Sequence, residues 1–138
     1  MTRLLAALLV LLSVPALAEP AQVLRVSDGD SIRVLLSGRE VAIRVAGIDT
    51  AELAHAKCER ERELGLAAKR EAQRLLPVGS VVDVQPTGKR EKYGRTLATI
   101  TLPDGTDYGS ILLQRGLAVS YNGRGHRKDW CATSRTPP

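Results

Sequence analysis

The sequence predicts an all-β fold with helical decoration, a small barrel rather than a helical bundle. Short runs in which apolar and polar residues alternate are separated by turn residues at hairpin distance. Only one long stretch changes to a period between three and four. Phe is absent and aromatics make up 3% of the 138 residues, so the core must be built from Val, Leu, Ile and Ala.

Residues 21–27 carry Val23, Leu24 and Val26 and run into the turn Asp28-Gly29-Asp30. Ile32, Val34 and Leu36 alternate with polar partners, Ser37-Gly38 turns the chain, and Val41, Ile43 and Val45 alternate again. These three strands form an antiparallel meander in which Ile32 faces Ile43 across the second hairpin. Residues 47–57 follow neither period and read as a loop. Over residues 59–76, Leu64, Ala68, Ala72 and Leu75 recur at helical spacing, with Glu and Arg on the other face, until Pro77 and Gly79 end the helix. Val81, Val82 and Val84 begin a fourth strand ending at Pro86, followed by a charged loop over residues 87–92. Residues 97–102 make the fifth strand, turned by Pro103-Asp104-Gly105. A short helix over 111–114 closes at Gly116, and 117–120 is extended. The tail from Asn122 is rich in Gly and Arg, and its polar end from about residue 132 is expected to be disordered. Five short strands around an aliphatic core suit an OB-like Greek-key barrel.

Residues 1–18 are expected to lie outside this domain. Arg3 supplies a positive start, residues 4–12 are an unbroken apolar run, and Ala16-Leu17-Ala18 is a small-x-small cleavage site, the order of a secretory signal peptide. The run is too short to span a bilayer. Cleavage after Ala18 leaves residues 19–138 as one domain, exported to the periplasm or beyond, and lowers the formal charge from +5 to +4. That excess favours polyanionic partners only weakly. Cys58 and Cys131 are the two cysteines, and an even count in an exported chain reads as one disulfide. A thiol metal site is the poorer reading, because there is no CxxC and the two histidines are far apart.

The chemistry concentrates at one end of the meander. Asp28 and Asp30 flank the first turn, and Asp49 and Glu52 lie just beyond the third strand. The hairpin register brings Asp30 and Asp49 to the same open end, where clustered carboxylates call for a cation. With no thiolate or imidazole near, a hard divalent ion with oxygen ligands fits. Asp28-Gly29 by itself also makes an ordinary turn, and a lone arginine is usually a solvated cation. Arg44 and Arg95 change the balance: two guanidiniums, a metal and a glutamate are the parts that phosphodiester hydrolysis needs. His55 and His126 sit in polar loops and read as solvated. Arg124, Arg127 and Lys128 read as a backbone-binding patch or a flexible charged tail.

The segments Ser27-Asp28-Gly29-Asp30-Ser31, Ile43 to Glu52 (IRVAGIDTAE), Lys92 to Ala98 (KYGRTLA) and Leu112 to Ala118 (LLQRGLA) resemble, in order, those of the staphylococcal nuclease family. The resemblance runs from about Val23 to Tyr121. It implies an OB barrel and Ca2+-dependent hydrolysis of DNA and RNA, leaving 3′-phosphate ends. Carried over residue by residue, the calcium ligands fall on Asp30, Asp49 and the Thr50 carbonyl, the catalytic residues on Arg44, Glu52 and Arg95, and nucleotide contacts on Lys92, Tyr93 and Tyr121. Ala51 stands where the family often has Pro, so the loop holding Glu52 is expected to be less restrained. The long C-terminal helix of the type member is expected to be missing or truncated, with Cys58–Cys131 fastening the tail instead. A monomer without membrane contact after cleavage is expected. The rival reading is an OB barrel that binds nucleic acid or another polyanion without cutting it.

Overall fold

The computed structural model describes residues 17–132. The expected signal peptide and disordered end therefore lie almost wholly outside the described residues. Strands β1 (Glu19–Asp28), β2 (Ser31–Leu36) and β3 (Arg39–Val45) form the antiparallel meander, with Ile32 opposite Ile43. After β4 (Ile48–Thr50) and helix α1 (Glu59–Leu75), β5 (Val81–Arg90) pairs antiparallel with β1 and with β6 (Thr96–Thr101). A parallel pairing of β3 with β6, Arg44 beside Leu97, closes the barrel in the order β1-β2-β3-β6-β5. Helix α2 (Tyr108–Gln114) leads to β7 (Ala118–Ser120), which pairs with β4 as a separate two-stranded sheet. The inward positions of the barrel, among them Val23, Val34, Ile43, Val84 and Ile100, are fully buried and aliphatic. No helix among the described residues is long and apolar enough to cross a membrane.

Three expectations about the elements are corrected. Residues 48–50 are not loop: they form β4, whose three residues are all buried, so no alternation marks them as a strand. β5 does not stop at Pro86 but continues to Arg90, with its register shifted between Pro86 and Arg90. Proline lacks the ladder donor, and an irregularity at that point lets the strand pass it. The buried stripe of α1 is Glu61, Gly65, Ala68 and Ala72, while Leu64 and Leu75 are only partly covered. After Glu61 the stripe is made of small residues because the helix lies close to the backbone: a Cβ on Gly65 would stand 2.7 Å from the Glu52 carbonyl oxygen. The helix begins at Cys58, whose Sγ accepts from the Glu61 N–H at 3.4 Å.

Cys58 and Cys131 form a disulfide across 73 residues, with Cα atoms 6.0 Å apart. It joins the start of α1 to the segment after β7, where Trp130 is buried. Replacing both cysteines with serine should lower the unfolding free energy by about 2–4 kcal/mol, mostly by freeing the unfolded chain. Serine at 58 still offers an oxygen for the helix cap, so little of the loss should come from α1. Urea unfolding of the two proteins measures the difference, and equal midpoints would show the bond to be dispensable.

Candidate active site

The turn between β1 and β2 is wedged into place from two sides. A Cβ on Gly29 would stand 2.9 Å from Ala68 Cβ of α1 and 2.9 Å from Thr50 Cγ2 of β4, so no larger residue fits without a shift. From α2, the buried Tyr108 donates its hydroxyl to the Gly29 carbonyl at 2.6 Å. Burial, then the charges of Asp30 and Glu71, push this phenol well above its ordinary range, so it stays a donor. Asp30 is fixed by that wedge. Its Oδ2 accepts from the Thr50 N–H at 3.0 Å and its Oδ1 from Ser31 Oγ at 3.1 Å.

Arg44 leaves β3 and folds back under the turn into β4. Its Nη1 donates to the carbonyls of Val45 and Ile48, both at 3.0 Å. Its Nη2 lies 3.1 Å from Asp49 Oδ1 and 3.2 Å from Asp30 Oδ2. The guanidinium thus spans two carboxylates whose side chains are 9% and 1% exposed. Asp28, beside them, is held above the usual carboxylate range by burial and then by Asp30 and Glu52. Arg95, just before β6, donates from Nη1 to Ser31 Oγ at 2.7 Å and grips Glu91 through Nε and Nη2 at 3.1 and 3.2 Å. Burial works against ionisation of Glu91, but the bonds from Arg95 outweigh it and lower its pKa.

Glu52 follows β4. Its N–H faces Glu61 Oε1 at 3.5 Å, and Glu61 Oε2 accepts from the Lys57 N–H at 2.7 Å. The buried Glu61 carboxylate therefore supports the loop that lacks the family's proline. The Glu52 carboxylate accepts from Arg127 Nη1 at 2.8 Å. Arg127 also donates from Nε and Nη2 to Asp49 Oδ1, at 2.9 and 2.6 Å. Burial alone would lower the pKa of this guanidinium, but its bonds to Asp49 and Glu52 prevail and raise it.

Asp30, Asp49, Thr50 and Arg44 are thus gathered in one buried network. Arg95 joins it through Ser31, and Glu52 joins it through Arg127. Lys92 and Tyr93 stand on the hairpin beside Arg95, with the exposed Tyr93 ring 4.8 Å from Lys92 Nζ and 5.9 Å from Arg95 Cζ. Tyr121 is half-buried after β7, and its N–H donates to the Gly47 carbonyl at 3.0 Å. It lines a shallow cleft with Gly47, Arg124 and His126. His55 and His126 are exposed.

The order of these parts matches a known family. The model of the family described as "Staphylococcal nuclease homologue" matches residues 42–133. The chain belongs to the staphylococcal nuclease family. It is 34% identical to a micrococcal nuclease of Shigella flexneri over 134 residues, 90% of this chain and 71% of the relative. It is 32% identical to protein ParB of Escherichia coli, over 94% of this chain and 73% of that one. An uncharacterized endonuclease of Escherichia coli O157:H7 is 31% identical over 72% of this chain and 60% of its own length.

Among the described residues, no three His, Cys, Asp or Glu side chains converge as a metal cluster. The calcium ligands expected from the staphylococcal nuclease resemblance are two carboxylates and a carbonyl, a set such a cluster would not include. Asp49 Oδ2 is buried and has no hydrogen-bond partner among the described residues. A bare anionic oxygen held away from water is costly unless a cation meets it, so the donor set fits a hard ion.

Sequence reasoning missed Glu61, Ser31 and Glu91, and it read Arg127 only as part of a basic patch or a flexible tail. Arg127 had a usable signal: Cys58 lies six residues after Glu52 and Cys131 four residues after Arg127. A bond between the cysteines draws residue 127 towards the glutamate, so the segment is not a free basic tail.

Proposed function

We propose that this chain is an exported, Ca2+-dependent nuclease that hydrolyses DNA and RNA and leaves 3′-phosphate ends. One observation carries the reading. Arg44, Asp30 and Asp49 form a single buried network with Glu52 and Arg95 at its rim, the parts of a phosphodiester site in one place. Two of the relatives are named as nucleases, in agreement. Asp30, Asp49 and the Thr50 carbonyl would hold the ion. When bound, Ca2+ polarises a phosphoryl oxygen and offsets its charge.

The remaining work belongs to the side chains. Arg44 and Arg95 bind phosphate oxygens by the forked donors of guanidinium and neutralise charge that grows in the pentavalent transition state. Glu52, 34% exposed, is open to water and acts as the base that orients or deprotonates the attacking molecule. Lys92 pairs with the backbone. Tyr93 and Tyr121 offer ring faces to bases, a contact that tolerates any sequence. Residues 1–18 serve as the signal peptide, and the mature domain acts as a monomer. Purified protein beginning at Glu19 should degrade plasmid DNA with Ca2+ and leave it intact with EGTA. Equal degradation in both would remove the metal, and no degradation in either would remove the nuclease.

A further inference from the structure

We propose that Arg127 is a tethered competitor for the divalent cation: it occupies Asp49 and Glu52 while the site is metal-free, and the Cys58–Cys131 disulfide keeps it there. The proposal rests on the metal-dependent reading of the same site and adds a control on it.

The charges support it. Glu52, Arg127, Asp49, Arg44 and Asp30 form one continuous chain of alternating sign, with contacts of 2.8, 2.6, 3.1 and 3.2 Å. Within this chain, three carboxylates against Arg44 leave two negative charges, the charge of one divalent ion. Arg127 supplies half of that. With an ion on Asp49, a guanidinium on the same carboxyl group faces a like charge and loses most of its attraction. Each cation therefore weakens the other, and by linkage the effect is reciprocal.

The geometry makes Arg127 the mobile partner. Arg44 comes from inside a strand, is anchored to two backbone carbonyls, and its side chain is 12% exposed. Arg127 comes from the irregular segment after β7 and its side chain is 43% exposed, so it can swing out to water. That segment is pinned at one end by the β4–β7 pairing and at the other by Cys131. Pinning both ends holds the guanidinium at high effective concentration over the carboxylates, and opening the disulfide leaves the second end held only by the buried Trp130. The inhibition is thus strongest while the disulfide is closed; a dithiol that reduces Cys58–Cys131 to two thiols, itself becoming a disulfide, relaxes it.

Calorimetric titration of Ca2+ into the purified protein beginning at Glu19, without nucleic acid, tests this. Arg127→Gln, with the disulfide intact, should bind Ca2+ about tenfold more tightly than wild type, a modest change suited to a partly exposed ion pair. Reduction should tighten binding by wild type and leave Arg127→Gln unchanged. Equal or weaker binding by Arg127→Gln overturns the proposal while the metal reading stands. Equal tightening of both proteins on reduction overturns the tether. No binding by either protein removes the metal reading and this inference with it. If the reduced chain unfolds, the oxidised Arg127→Gln protein decides the competition by itself.

Discussion

Glu52→Gln should cut labelled oligonucleotide at least two orders of magnitude more slowly than wild type in a single turnover, within the ~10²–10⁴ range for a positioned acid or base. The amide keeps the shape of the carboxylate and one acceptor, so Arg127 retains a partner and the loop above Glu61 keeps its support. What is lost is the negative charge that, in the proposed mechanism, takes a proton from water. Arg44 and Arg95, the proposed phosphate ligands, are untouched, so affinity measured in EGTA should be nearly unchanged. Loss of turnover without loss of affinity is the signature of an interaction made in the transition state. A variant that cuts as fast as wild type would move the base elsewhere. Wild type that binds the oligonucleotide but does not cut it would leave a binding module on the same barrel.

The barrel was legible because its signals are local. Alternation marks β2 and β3, and the Ser37-Gly38 turn sets the register that brings Ile32 opposite Ile43. The β3–β6 parallel pairing was not legible, since nothing in either strand's pattern distinguishes a parallel neighbour from an antiparallel one. β4 escaped for a related reason: Ile48, Asp49 and Thr50 are all buried, and a strand covered on both faces shows no alternation. In the candidate site, residues on or beside the meander were legible because strand register carries them. Arg127 was not, because it arrives from 75 residues beyond Glu52 and depends on a tether. Glu61 and Gly65 were hidden by their chemistry. A buried glutamate and a helical glycine look like a solvated charge and a flaw until the Glu52 backbone is seen against them.

Arg44→Met should unfold more easily than any surface arginine variant, and Ca2+ should recover part of the loss. Methionine keeps much of the apolar stem but leaves Asp30 and Asp49 facing each other without the cation between them. It also removes two donors to the carbonyls of Val45 and Ile48, which set the turn from β3 into β4. Breaking a buried ion pair from one side costs about 3–5 kcal/mol; Arg127 still neutralises Asp49, so the lower end is expected in EGTA. That is a large share of the ~5–15 kcal/mol that holds an ordinary domain folded. An ion bound to native carboxylates stabilises by mass action, and a site that has lost a positive charge binds the ion more tightly. The gain in melting temperature on adding Ca2+ should therefore be larger for Arg44→Met than for wild type. Catalysis should not return with stability, since one of the two guanidiniums proposed to bind the phosphate is gone. Equal Ca2+-induced shifts in the two proteins would mean that the ion does not sit against the carboxylates Arg44 bridges, and the assignment of Asp30 and Asp49 as ligands would fall.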